Sequence, residues 1–166
     1  MMKRQELPRA PFFDTEELRV ELTAMFKASD GPDDCRPKVL KRLKELVTDA
    51  HQGARARLEA TAQGRDCAAA LSTFHDELIR LIFDYTAAHV YHPTTSGSRD
   101  EKIAIIATGG YGRGLLAPYS DIDLLFILPY RQTPWSESVA EYMLYLLWDL
   151  GLKVGHATRT VSQCVT

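Results

Sequence analysis

The stretch from Lys102 to Leu128, KIAIIATGGYGRGLLAPYSDIDLLFIL, constrains this chain more than any other. Ile103 to Thr108 is a short, apolar, β-branched run stopped by Gly109-Gly110, and Ile122 to Leu128 is an apolar run bounded by Asp121 and Pro129. The pattern predicts two strands covered on both faces, joined by a glycine-rich turn and a very short helix. Alternate residues of a strand project to the same face, so Asp121 and Asp123 are expected to point the same way from the start of the second strand. Two carboxylates so placed suit a divalent cation.

A chain of 166 residues that is 45% hydrophobic and 25% charged is long enough for one core, so one domain, or one domain with a helical extension, is expected. Lys and Arg number 20 against 22 Asp and Glu, a balance that offers no broad basic surface and argues against a nucleic-acid partner. Cys35, Cys67 and Cys164 are odd in number and far apart, which argues against a disulfide framework or zinc cluster and for a reducing compartment. No apolar segment follows Lys3 and Arg4, and no apolar run approaches the ~20 residues of a membrane span. The expectation is a soluble, cytoplasmic protein without a membrane partner.

Residues 1–13 read as a flexible arm interrupted by Pro8 and Pro11. Asp14 or Thr15 can cap a helix whose Leu18, Leu22, Met25 and Phe26 form one stripe. A turn at residues 29–34 precedes a second helix over 35–63, starting near Pro37, with Val39, Leu40, Leu43, Leu46, Val47 and Leu58 inward and a solvated Lys/Arg face. Gly64 is expected to end it, and Asp66 to open a third helix that runs to about Tyr91 on Leu71, Phe74, Leu78, Leu81, Ile82 and Tyr85. His75, His89 and His92 lack a metal-site pattern and read as core or surface histidines. Residues 92–98 have the composition of a flexible link, dividing a helical part (14–101) from a strand-containing core (102–166). Beyond Pro129, residues 135–150 form a helix stopped by Gly151, and 152–161 a third strand returning after a helical crossover. Thr160-Val161-Ser162-Gln163 matches a capping box. With only Cys164, Val165 and Thr166 after it, that signal predicts that the sequence is a piece of a longer chain.

A glycine pair at a strand end lets backbone amides approach an anion, and a helix start offers unpaired N–H groups to phosphate. Gly109-Gly110 therefore reads as a triphosphate cradle, with Asp121 and Asp123 holding one or two Mg²⁺ ions that bridge to the phosphates. This suits in-line attack on an α-phosphate with pyrophosphate leaving. The segment 109–114, GGYGRG, lacks both the GxGxxG register and a GK[ST] sequence, which excludes the dinucleotide and P-loop readings.

TGGYGRGLLAPYSDIDLLFILP, followed by LYLLWDLGLKVGHATRT, resembles the nucleotidyltransferase domain of the bacterial bifunctional uridylyltransferase and uridylyl-removing enzymes. The resemblance is close over 103–164 and weaker over 36–85. It implies an α+β fold: a polymerase β-like nucleotidyltransferase core, a small mixed sheet flanked by helices, preceded by the helical part. It also implies UTP and Mg²⁺ as cosubstrates, a tyrosine hydroxyl of the PII signalling protein as acceptor, and C-terminal HD and ACT domains that this sequence lacks.

On that resemblance, Gly109 and Gly110 match the phosphate-binding glycines, and Asp121 and Asp123 the metal-binding, catalytic pair. Ser120 is a further candidate phosphate or metal-shell contact. Arg113 is a candidate phosphate partner, its planar guanidinium being suited to that anion. Tyr111 and Tyr119 are expected to pack around the turn. His156 and Arg159 match a GHxxRT segment and are both placed toward the cleft, without assigned roles. The superfamily adds a third carboxylate; Asp149, at a helix end, reads as structural, so that acid is expected beyond Thr166 and residues 1–166 are expected to be poorly active alone. Two alternatives remain: a related enzyme with another nucleotide or acceptor, such as one adenylylating glutamine synthetase, and a catalytically silent regulatory module.

Overall fold

A computed structural model describes residues 12–93 and 101–165; the proposed arm up to residue 11 and most of the link lie outside them. Helix α1, Thr15–Lys27, starts where the Asp14 carboxylate accepts from the Glu16 and Glu17 amides at 2.9 and 3.0 Å, the arrangement of a side-chain N-cap. Its stripe buries Leu18 and Leu22.

Helix α2 spans Pro32–Thr61 and begins five residues before the expected Pro37. Pro32 occupies the first turn, where its fixed φ suits a helix and its missing N–H has no intrahelical partner to lose. Pro37 is carried inside. The helix stops because Ala62 turns left-handed, at φ 52°, so Gly64 opens helix α3, Gly64–Tyr85, instead of closing α2. The expected continuation of α3 to Tyr91 widens into a π-helical turn over Thr86–Val90. There the Thr86 hydroxyl donates to the Ile82 carbonyl at 2.7 Å, and the His89 ring stacks on Phe26.

Three strands follow: β1, Ala104–Ala107, β2, Ile122–Leu128, and β3, Val154–Thr160, with β2 central. β1 runs antiparallel to β2, and β3 runs parallel to it. That parallel pairing needs a crossover, supplied by helix α5, Pro134–Asp149, whose capping box joins Thr133 and Ser136. A one-turn helix α4, Gly109–Gly112, follows β1, and α6, Val161–Val165, follows β3. The Thr160–Gln163 capping box forms, with the Gln163 side chain accepting from the Thr160 amide at 2.9 Å.

Helices and sheet share one apolar cluster, running from Leu18 and Leu22 through Val39, Phe74 and Ile82 to Phe126 and Met143. The expectation of strands covered on both faces is corrected here. Along β2, Ile122, Leu124, Phe126 and Leu128 are buried while Asp123, Leu125 and Ile127 are only half-buried. The reason is that the cluster packs one side of the sheet; on the other, Ile106 is 42% exposed. That period-two alternation marks a sheet with one covered face.

The α2 basic face is laced with ion pairs: Lys38–Asp34, Arg42–Glu21 and Arg55–Glu59. Arg36 reaches Asp149 at 2.7 Å, which ties the start of α2 to the end of α5 and gives Asp149 the structural role expected of it. Cys35, Cys67 and Cys164 are all free thiols. Among the described residues no helix is long and apolar enough to cross a membrane.

Candidate active site

The glycine turn is fastened to the aspartate strand at the backbone. The Thr108 amide donates to the Asp123 carbonyl at 2.9 Å, and its hydroxyl lies 3.4 Å from the same oxygen. Gly109 then adopts φ 59°, a left-handed conformation that costs an L-residue about 1–2 kcal/mol. Space excludes a side chain there as well, since a β-carbon on Gly109 would strike Oδ2 of Asp123.

A second glycine flanks the same carboxylate. Asp123 pairs with Gly155 across the parallel β2–β3 ladder, and a β-carbon on Gly155 would lie 2.7 Å from Asp123 Oδ1. Each carboxylate oxygen thus occupies room vacated by a missing side chain. Gly155 was not singled out in the sequence; its only trace there is its place in the GHxxRT segment.

Asp121 stands one residue before β2 and is exposed. Neither Asp121 nor Asp123 is ion-paired among the described residues, and no group of three or more metal-ligating side chains occurs there. Carboxylate oxygens are the donors that a hard divalent cation prefers. The two glycines leave the Asp123 carboxylate seated between them.

Helix α4 begins at Gly109 itself, two residues earlier than a helix placed after the glycine pair. The Gly112 amide donates to the Thr108 carbonyl at 2.7 Å, and the amides of Gly109, Gly110 and Tyr111 belong to the first turn, which has no intrahelical partners. Arg113 caps the other end and is exposed; its Nη2 lies 3.8 Å from where a Gly110 β-carbon would sit. The guanidinium therefore hangs over the glycine turn.

Ser120 lines a cavity of about 80 Å³ with His51, His75, Tyr119 and Lys153. Ile122, the residue between the two aspartates, lines the same cavity, which places it on the helix-covered side of the sheet. His75 is 2% exposed, and its Nδ1 lies 2.7 Å from the Leu71 carbonyl; a carbonyl only accepts, so Nδ1 carries the proton. Burial pulls His75 down to about 4 and lowers His51 as well.

The two tyrosines part company. Tyr111 is 3% exposed and packs as expected, with burial and its bond to Asp76 pushing its hydroxyl above the usual phenol range. Tyr119 does not pack around the turn: it is 78% exposed and holds φ 65°. His156 and Arg159 also separate, because residues three apart on a strand face opposite ways. Arg159 pairs with Ile127 on the Asp123 side of the sheet, whereas the His156 ring contacts Trp148 of α5.

The central strand carries Asp123 beside a one-turn glycine helix, with Asp121 one residue before the strand, and residues 96–159 match the family described as nucleotidyltransferase domain. The chain carries such a domain, of the kind found in bifunctional uridylyltransferase/uridylyl-removing enzymes. It is 47% identical over 154 residues to the protein of that name from Nitrobacter hamburgensis, covering 92% of this chain and 16% of that protein. Identity is 50% over 149 residues to the one from Azospirillum brasilense, and 46% over 153 residues to the one from Caulobacter vibrioides, each again covered over 16% of its length. No solved structure matches the chain.

Proposed function

We propose that this chain is the nucleotidyl-transferring part of a bifunctional uridylyltransferase/uridylyl-removing enzyme, passing UMP from UTP to a tyrosine hydroxyl of the PII signalling protein in the cytoplasm. The observation that carries the reading is the Asp123 carboxylate seated between Gly109 and Gly155 at the head of β2. The relatives' shared name supports uridylyl transfer, and the resemblance of residues 103–164 to that family supports UTP, PII and Mg²⁺. The even balance of basic and acidic residues favours a protein acceptor over nucleic acid. Residues 14–101 serve as the helical part and 102–166 as the core.

Asp121 and Asp123 would hold Mg²⁺, which when bound neutralises the carboxylates, grips the substrate phosphates and eases in-line displacement. The unpaired amides of the Gly109–Gly110 turn receive the anionic phosphates, and Arg113 adds a planar donor fork above them. Ser120, adjoining Asp121, serves as a supporting contact. The tyrosyl oxygen bonds to the α-phosphorus as the bond to the β-phosphate oxygen breaks; the phenolic proton and pyrophosphate are lost.

The test uses the whole protein, labelled UTP and PII. Asp121→Asn and Asp123→Asn should each cut UMP incorporation by at least about 10²-fold, the scale for loss of one transition-state contact. Unchanged incorporation would reject the catalytic assignment, and preferential competition by ATP over UTP would redirect the reading to adenylyl transfer.

A further inference from the structure

Helix α4 is too weak to account for its own shape. It is a single turn, Gly-Gly-Tyr-Gly, in which three residues have poor helix propensity and nothing offsets the cost of nucleation. Tyr111 is its only side chain. Two bonds from α3 hold the turn instead. The Tyr111 hydroxyl donates to Asp76 Oδ1 at 2.7 Å, and the Leu116 amide donates to the Ser72 hydroxyl oxygen at 2.9 Å. Ser72 in turn donates to the Ala68 carbonyl at 3.0 Å, so its hydroxyl has a partner for its proton and for its lone pair. Ser72 and Asp76 are four residues apart and therefore share one helix face.

Resting on the function proposed above, we infer that Ser72 and Asp76 are positioning residues for nucleotide transfer. They act through Tyr111 and Leu116, and the helical half is the frame that aims the phosphate-binding turn. With Thr108 bonded to the Asp123 carbonyl, the turn is pinned at its start, middle and end. The two α3 bonds set the rotation of α4, and hence where the amides of Gly109 and Gly110 and the base of Arg113 stand relative to Asp123. Tyr111 and Leu116 are each 3% exposed, so water does not replace a lost partner readily.

The whole protein would be assayed with UTP and PII. Tyr111→Phe and Asp76→Ala should each lower kcat by about 10- to 100-fold, the penalty of a misplaced reactant, with a smaller change in KM for UTP. Their combination should be no worse than either alone, since both break one bond. Asp76→Asn keeps an oxygen acceptor and should stay within about 3-fold of the parent. Ser72→Ala should lower kcat as well. Hydrogen exchange supplies a readout independent of activity: the Leu116 amide should exchange faster in Ser72→Ala, and the Gly112 amide faster in Tyr111→Phe. Rates within 2-fold of the parent in both Tyr111→Phe and Ser72→Ala would overturn the inference. So would an Asp76→Asn protein as damaged as Asp76→Ala, or losses that vanish when variants are compared at equal distance below their unfolding midpoints. If Asp121→Asn transfers UMP normally, the functional reading fails instead, and the exchange experiment still decides whether α3 fixes the turn.

Discussion

Gly155 lies directly across the β2–β3 ladder from Asp123, and its missing side chain leaves the space that Asp123 Oδ1 fills. A β-carbon there would be only 2.7 Å from that oxygen, well inside contact distance, and both groups sit on strand backbone. The carboxylate is the part that can move. Gly155→Ala should therefore leave the fold intact by far-UV circular dichroism while lowering UMP transfer about 10²-fold, the scale for roughly 1 Å of misplacement. A fully active Gly155→Ala protein would show that the seat is dispensable.

Cation dependence should follow from the same carboxylate. Chelation with EDTA is expected to abolish transfer, and added Mg²⁺ to restore it. Because Gly155→Ala displaces one donor without removing its charge, it should need more Mg²⁺ for half-maximal rate than the parent. Equal titration curves would separate the Gly155 effect from metal binding.

Stability should depend on pH through His75. Burial holds its imidazole neutral in the folded chain, with its titration lowered from 6.5 to about 4. Besides Phe74 on its own helix, its surroundings include His51 from α2 and Tyr111 from α4, with Asp76 close by. The unfolded chain binds this proton more readily, so the contribution is fully present above pH 6.5 and is lost as pH falls toward 4. The full span corresponds to about 3 kcal/mol. Urea titrations at several pH values should show this decline, and His75→Gln should flatten it even if it costs stability at neutral pH.

The core should be most sensitive where the chain's first described residues meet α3. Phe74 is 0% exposed and makes T-shaped contacts with both Phe12 and Phe13, with ring centroids 5.7 and 5.8 Å apart. Phe74→Ala should destabilise by about 3–5 kcal/mol, measured as a lower urea midpoint with the slope unchanged.

Capping of the crossover helix offers a smaller, local effect. The Thr133 side chain accepts from the Ser136 amide, and the Ser136 hydroxyl accepts from the Thr133 amide. Thr133→Ala should cost about 1 kcal/mol, again as a shifted unfolding midpoint. No change would mean that packing of α5 alone fixes where it starts.

The sequence by itself determined the local pieces. The apolar run from Ile122 to Leu128 matches β2 residue for residue, Asp14 caps α1, and the Thr160–Gln163 box forms, because each signal is complete within a few neighbouring residues. The Gly109-Gly110 and Asp121-x-Asp123 pairs were legible for the same reason. Helix ends were read less well: proline alone does not say which of Pro32 and Pro37 starts α2, and the left-handed turn at Ala62 carries no glycine to announce it. Only the tertiary structure decided that β2 is covered on one face, that Gly155 stands opposite Asp123, and that α3 grips the glycine turn. Those relationships join residues 32 to 44 positions apart, such as Asp123 with Gly155 and Ser72 with Leu116. No periodic pattern connects such residues; strand register and the packing of α3 against the sheet bring them together.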